Sequence, residues 1–489
     1  MMKSRGLMSL ALTIVLFPMF GKTALAGQSK NVLLLCVDDL RTVMGCYGGV
    51  AKTPNMDRFA ESAAVFTRHY NQWPVCGPSR ASMLGGLRPD STGIYEIGDS
   101  WQISKRPDTH PTLPLTFKNN GYTCLSYGKT YHGKGIGKGY GWSAEPWKLN
   151  WDCYVDFNYK EGKEGKGKYR PAYEIYDGPD SRHNDCQTAD KVIQALEENK
   201  DRPFFIAGGF YKPHLPFVAP QKYWDLYSEE EIAAINPAGI PEGAGEYMYN
   251  WTEIDSYGDS EGNLFSGDNG VGEKETLNMI HAYYACVSFI DAQLGRIFQT
   301  LEKTGLAENT AVVIWGDHGF HLGDHGRWAK HTQFEQAMRC PLMVRLPGHH
   351  KTTGETQAIA ESVDIYPTLC EFAGIELPEF VEGQSLVPVI EGRGEGKAAA
   401  FSQIRPVNRK KVESQVMAYS VRTKDFRYVE WRNMNDVSEV VWRELYDHRN
   451  DPEESISVAD NPEYESEMKR HAKLVAESYA SIKAGTPIK

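Results

Sequence analysis

Residues 31–41 read "NVLLLCVDDLR". From Val32 to Val37 the run is apolar without a break, strand-length, and stopped abruptly by Asp38-Asp39. A continuous apolar run of that length reads as a strand buried on both faces. Three other segments share the form. "YTCLSYG" (122–128) follows the amphipathic "LPLTFKNNG" and ends in Lys129. "PFFIAGGFY" (203–211) follows "TADKVIQALEENK" and ends in Lys212-Pro213-His214. "TAVVIWG" (310–316) ends in Asp317-His318. It follows a long helical pattern in which Leu277, Ile280, Tyr284, Val287, Leu294, Ile297 and Leu301 recur at three- or four-residue steps, with a single seven-residue step. Strand–helix–strand alternation predicts an α/β fold, with a large, mostly parallel sheet sandwiched by helices.

The polar residues fall at informative places. Each of the four runs is followed at once by Asp, Lys or His, and open parallel sheets build their sites outside the carboxyl ends of the strands. Four segments therefore aim ionisable groups at one edge of one sheet.

The chain has 489 residues, enough for one large domain and a smaller one. Lys3 and Arg5 precede "LMSLALTIVLF" and then "TALAG", a small-x-small site ending at Ala26. This reads as a secretory signal peptide over 1–26, too short for a membrane span. No later segment is apolar enough to cross a bilayer, so the expectation is an exported protein, periplasmic or extracellular. The formal charge of −11 becomes about −14 without the leader. Such a chain is a poor generic partner for nucleic acid, and an anionic substrate would need local positive charge. Among the nine cysteines, Cys153 and Cys186 bracket a loop-like stretch and are the expected disulfide. Cys36, Cys286 and Cys370 sit in apolar patterns and read as buried thiols.

Two stretches break the rhythm. Residues 133–170 are rich in Gly and Lys, and 221–270 are turn-rich and acidic; both read as loop insertions. After about residue 405 a strand pair, "VMAYSVRTKDFRYVEW", leads through "ELYDHRNDPEE" to a charged helix. The expected division is a catalytic domain over 27–405 and an α+β subdomain with a small antiparallel sheet over 406–489.

Asp38-Asp39 with Asp317-His318 have the composition of a hard divalent cation site, Ca2+ or Mg2+. Either pair alone could be an ordinary strand end capping a helix. Residues 73–89, "WPVCGPSRASMLGGLRP", carry a cysteine in a polar turn. A cysteine phosphatase would need five residues between Cys and Arg, and here only "GPS" separates Cys76 from Arg80. A Cys-His protease would not need paired aspartates and several lysines.

"CGPSR" resembles the Cys-x-Pro-Ser-Arg signature of the type I sulfatases of the alkaline phosphatase superfamily. The resemblance extends in order through "NVLLLCVDDLR", "YGKTYH", "GFYKPHLPF", "WGDHGFHLGDHGRWAKHTQFE", "VDIYPTL" and "ELYDHRNDPEE". "YKPHLPF" and "RWAKHT" are most similar to the iduronate-2-sulfatase branch. The resemblance implies an alkaline phosphatase-like fold with a mixed, mostly parallel sheet, and a Cys76 oxidised to Cα-formylglycine by a maturation enzyme. The hydrated aldehyde would attack sulfur, expel the sugar alcohol and then release sulfate. By matched position Asp38, Asp39, Asp317 and His318 would hold one Ca2+, with residue 76 completing the shell. Arg80 would hold the hydrated aldehyde, Lys129 and Lys330 would bind sulfate oxygens, His132 would act as base, and His214 would serve the leaving oxygen.

One departure is plain. The family continues with Leu-Thr-Gly-Arg, whereas this chain has Leu84-Gly85-Gly86-Leu87 and its arginine one place later, at Arg88. The implied substrate is a sulfated mono-, oligo- or polysaccharide, with the 2-O-sulfate of a uronic acid suggested by the branch. The 134–170 insertion would supply positive field, and Trp101 and Trp328 are candidate sugar platforms. The alternatives are a phosphodiesterase or phosphonate hydrolase on the same scaffold, and a glycan-binding relative whose Cys76 is never oxidised.

Overall fold

The computed structural model describes residues 30–133, 141–149, 153–156, 170–235, 237–248, 253–258, 271–349, 352–406 and 416–484. Its main sheet has seven strands, in the spatial order Gly354–Glu361, Ala64–Tyr70, Leu342–Arg345, Thr310–Gly316, Asn31–Val37, Phe204–Phe210 and Thr123–Gly128. The four strands expected from the sequence are the last four, side by side and parallel, so their polar ends do converge on one edge. Leu342–Arg345 runs antiparallel to both neighbours, which makes the sheet mixed.

The apolar run at 31–37 explains the two-sided burial. Leu33, Leu35 and Val37 enter one core cluster with helices Asn184–Glu198 and Glu273–Lys303. Val32, Leu34 and Cys36 enter a second cluster with helices Cys76–Gly85, Leu113–Asn119 and Ile365–Ala373. Side chains of a strand alternate between faces, so one strand feeds both layers. Each such buried side chain contributes about 1.5–3 kcal/mol.

Glycine matters where two strand ends meet. Gly128 has φ 72°, and a Cβ on it would strike the Gly209 carbonyl; a Cβ on Gly209 would strike the backbone of Lys129. The two glycines let the strands stay in register one residue further, with the Lys129 amide donating to Gly209 O at 2.8 Å. That contact sets where Lys129 leaves the sheet.

The small sheet is an antiparallel meander of Ala399–Ile404, Val416–Thr423, Phe426–Asn433 and Val440–Asp447. Its first strand lies before the break expected at residue 405. Val475 of the closing helix, Glu465–Ala484, joins its core cluster, as do Trp73, Val75 and Phe334 of the main domain. The small sheet thus packs against the segment that leads into Cys76.

Two expectations are corrected. Cys153 and Cys186 are both thiols, not a disulfide: Cys186 Sγ accepts from the Arg296 guanidinium at 3.2 Å, and Cys153 Sγ faces Asn184 Nδ2 at 3.8 Å. Their side chains are committed to different neighbours. Trp328 is no sugar platform, because it is 6% exposed and packs in the main core. The Trp101 side chain, the leader 1–26 and most of the glycine-lysine insertion lie outside the described residues. Cys36, Cys286 and Cys370 are fully buried thiols, as expected. Among the described residues no helix is long and apolar enough to cross a membrane.

Candidate active site

Cys76 is the first residue of helix Cys76–Gly85, every residue of which is buried. The helix ends in Gly86, at φ 67°, so the displaced arginine is not free to wander. Arg88 forks onto Glu361 with two 2.6 Å bonds, a structural role for the residue that departs from the family pattern.

The ends of the four parallel strands surround Cys76. His318 Nε2 lies 3.3 Å from its Sγ, Lys330 Nζ 3.6 Å and Lys129 Nζ 3.7 Å. His132 also hydrogen-bonds the thiol. Burial works to raise the Cys76 pKa, but Lys129, Lys330 and His318 together outweigh it and hold the thiol well below its ordinary range. Burial leaves His132 with a lowered pKa, hence neutral and able to accept a proton.

Arg80 is fully buried beneath this group. Its Nε donates to Asp317 Oδ2 at 2.8 Å and its Nη2 to Asp38 Oδ1 at 3.1 Å, while Nη1 donates to the carbonyls of Lys129 and Thr130. One planar guanidinium therefore ties the ends of three strands together. In this structure Arg80 orders the carboxylates of Asp38 and Asp317 and the chain at Lys129 and Thr130.

Three fully buried carboxylates share the site. Burial opposes the ionisation of all three, but they respond unequally. Asp38 is held well below the carboxylate range because Lys129, His214 and Arg80 face it. Burial prevails at Asp39, whose pKa is raised, and at Asp317, pushed up to about 7. Lys330 donates to both oxygens of Asp39, at 2.7 and 2.9 Å, and Lys129 is ion-paired to Asp38.

The donor set fits a hard divalent cation. Ligand atoms of Asp38, Cys76, Asp317 and His318 lie within 4.8 Å of one another, as do those of Asp38, Asp39, Cys76 and His214. His318 donates Nδ1–H to Gly319 O at 2.9 Å, which leaves Nε2 aimed at the cluster, 3.3 Å from Asp39. That is the wiring a metal-bound histidine needs.

His214 stands on the opposite wall. Its loop is held by Asp185, which accepts from the amides of Tyr211 and Lys212 at 2.9 and 2.7 Å. The buried Lys212 ammonium donates back to His214 O and Pro216 O. The His214 ring gives Nδ1–H to Leu215 O and turns Nε2 toward Asp38, 4.0 Å away, and Glu253, 3.4 Å away. Burial tends to lower its pKa, but Asp39 and Glu253 raise it overall.

Glu253 also meets Lys330 at 3.1 Å. Sequence reading missed it, because an acid in an acidic, turn-rich insertion carries no local signal. Asp185 and Lys212 were likewise given no role: Lys212 closes the same strand two residues before His214, and only the fold brings Asp185 to its amide. These groups open into a cavity of about 810 Å3 whose outer wall includes Lys148, Arg170 and Tyr257. Arg170 lies 4.7 Å above the Tyr257 ring. Lys148 and Arg170 are the described cations that the glycine-lysine insertion contributes to the cavity, beside Gly133 and Leu149.

A buried cysteine ringed by two lysines and two histidines, over three carboxylates, defines a hydrolase for an anionic ester. Residues 30–375 match the family model described as "Sulfatase", and residues 323–480 match that of the N-sulphoglucosamine sulphohydrolase C-terminal region. The chain is 30% identical to iduronate 2-sulfatase of Mus musculus, covering 90% of this chain and 92% of that protein. It is also 30% identical to a sulfatase of Formosa agariphila, covering 93% and 88%. The phosphonate monoester hydrolase of Agrobacterium radiobacter shares the fold, with a TM-score of 0.73 at 24% identity over 93% of this chain and 95% of that one. The chain belongs to the sulfatase family and is a sulfuric ester hydrolase.

Proposed function

We propose that this protein is an exported sulfatase that removes sulfate from a sulfated carbohydrate, with formylglycine made from Cys76 as its working group. The observation that carries the reading is the convergence of Lys129, Lys330, His132 and His318 on one buried cysteine. Formylglycine, as its hydrate, would supply the nucleophilic oxygen. A Ca2+ held by Asp38, Asp39, Asp317 and His318 would polarise the ester and lower the pKa of that hydroxyl.

The chain's own residues supply the rest. Lys129 and Lys330 place two positive charges where sulfate oxygens gain charge as the ester bond breaks. His132, neutral and in contact with residue 76, takes the proton of the attacking group. His214, whose pKa its acidic neighbours raise, gives Nε2–H to the departing sugar oxygen. Arg80 holds the carboxylates of two strands in place and so preorganises the floor.

The 2-O-sulfated uronic acid is the substrate this reading favours. The relatives named iduronate 2-sulfatase support it, and so do Lys148 and Arg170, which bring positive charge to the outer wall for a second anionic group on the sugar. The test begins with mass spectrometry of the tryptic peptide 69–80 from protein made in its native host. Formylglycine is lighter than cysteine by one sulfur and two hydrogens, and heavier by one oxygen. An unmodified thiol there would overturn the mechanism. A panel of matched sulfate, phosphate and phosphonate esters follows, and faster release of phosphate than of sulfate would point to a phosphodiesterase instead.

A further inference from the structure

Glu253 belongs to neither group of prospective metal ligands, yet its carboxylate reaches two members of the catalytic set. Oε2 meets Lys330 Nζ at 3.1 Å, and Oε1 meets His214 Nε2 at 3.4 Å. Among the described residues it is the only acid ion-paired with both. One side chain thus links the cation that would grip sulfate to the ring that would serve the leaving oxygen.

The turn that carries Glu253 is firmly built. Glu253–Ser256 is a single 3-10 turn, after which Tyr257 N donates to Ile254 O at 2.9 Å. The side chains of Ile254 and Tyr257 enter the main core. Gly258 N then donates to Arg170 O at 2.9 Å, and Gly258 O accepts from Ala172 N at 3.2 Å. The acidic insertion is stitched in this way to the end of the glycine-lysine one. Glu253 itself is 20% exposed at its side chain and lines the catalytic cavity.

The two cations do not depend on Glu253 equally. Lys330 also has both oxygens of Asp39, at 2.7 and 2.9 Å. His214 has no such reserve: Asp38 is 4.0 Å from its Nε2 and already engaged by Arg80 and Lys129. The Nδ1 side of the ring is fixed on Leu215 O, and Glu253 is the nearer carboxylate on the Nε2 side. Lys330 therefore anchors one oxygen of Glu253, and the other faces His214. At 3.4 Å that contact is longer than the about 2.7–3.2 Å of an ordinary N–H···O bond. It directs the ring and leaves the proton to a closer acceptor.

We propose that Glu253 is a positioning residue for the leaving-group acid: braced by Lys330, it aims His214 Nε2–H at the oxygen that departs. The inference rests on the assignment of His214 as that acid. A misdirected proton donor costs rate in the transition state and little in binding.

The test is a double-mutant cycle in the enzyme carrying formylglycine at position 76. On a heparin-derived 2-O-sulfated disaccharide, Glu253→Ala should lower kcat about 30-fold and leave KM within about threefold. On 4-nitrophenyl sulfate, whose phenolate departs unaided, the loss should be only about threefold. Added to His214→Ala, the same change should cost no more than about twofold further, because it acts through a ring no longer there. Glu253→Gln keeps the shape and one acceptor oxygen; it should lose about tenfold on the disaccharide and guards against misfolding. Equal losses on both substrates overturn the proposal, and so does an undiminished loss of about 30-fold on top of His214→Ala. A His214→Ala enzyme with no leaving-group dependence removes the acid assignment, and the role of Glu253 falls with it. A parent that cleaves another sugar sulfate or a phosphodiester removes the substrate reading alone. The same cycle on alkyl and 4-nitrophenyl esters of the acid it does release then decides Glu253.

Discussion

At His214 the Nδ1 proton goes to a backbone carbonyl, so only Nε2 can reach a substrate, and the neighbouring Asp39 and Glu253 raise its pKa against the effect of burial. A proton donor helps most when the leaving group is a poor one. His214→Ala should therefore lower kcat/KM about 10²- to 10⁴-fold on sugar sulfates but much less on 4-nitrophenyl sulfate, whose phenolate departs unaided. Equal losses on both substrates would assign the ring to binding. Residue types at the site were legible because each closes an apolar run: Asp38, Asp39, Lys129, Asp317 and His318 all follow a strand directly. Glu253 was not legible, since an acid 123 residues after Thr130 in a loop meets Lys330 and His214 only through the path of the chain.

At the scale of elements, two junctions decide much. Gly128 and Gly209 let adjacent strands close up at the point where Lys129 emerges. Gly209→Ala should force the backbone of Lys129 aside, cost about 1–3 kcal/mol in chemical denaturation and raise KM for sulfate esters more than it lowers kcat. The second junction is in the small sheet, where Glu444 is buried and accepts from Tyr446 at 2.7 Å, Gly245 N at 3.2 Å and Trp431 at 3.3 Å. Burial dominates those bonds and pushes its pKa up to about 7. In the unfolded chain the group ionises near 4.5. Its contribution to stability is thus complete below about 4.5 and is lost as pH rises through about 7, on the order of 3 kcal/mol in all. Glu444→Gln should flatten the dependence of Tm on pH between about 5 and 8 relative to the parent, measured by calorimetry. An unaltered slope would exclude Glu444 as its source. Pattern had found two of these four strands, Val416–Thr423 and Phe426–Asn433, together with the long helix and the closing helix. It could not give their spatial order, nor show that Leu342–Arg345 enters antiparallel, because those depend on contacts far apart in sequence.

Across the whole molecule, buried charge joins the main sheet's domain to the small antiparallel sheet. Glu335 of the main domain takes Arg422 and Arg427 of the small sheet, and Glu454 closes the group from beyond it. Arg427→Ala would leave two buried carboxylates short of a partner and should cost about 3–5 kcal/mol in urea unfolding. A loss under about 1 kcal/mol would show that water replaces the arginine. This junction escaped the sequence reading, which set the boundary at residue 405 from a change of pattern. The strand before that boundary belongs to the small sheet, and the expected tryptophan platform at 328 turned out to be core, because composition reports a residue's chemistry and not its neighbours.

Lys330 sits between Ala329, at φ 69°, and His331, at φ 75°, two side-chain-bearing residues in left-handed backbone. Neither conformation is comfortable, and together they aim the ammonium group at Asp39 and Cys76. Ala329→Gly should relieve part of that strain, worth up to about 1 kcal/mol, and free Lys330 to swing. An engineer selecting this protein for heat tolerance alone would be rewarded at position 329 with a hardier molecule and a slower one. Any such campaign needs turnover in its screen from the first round.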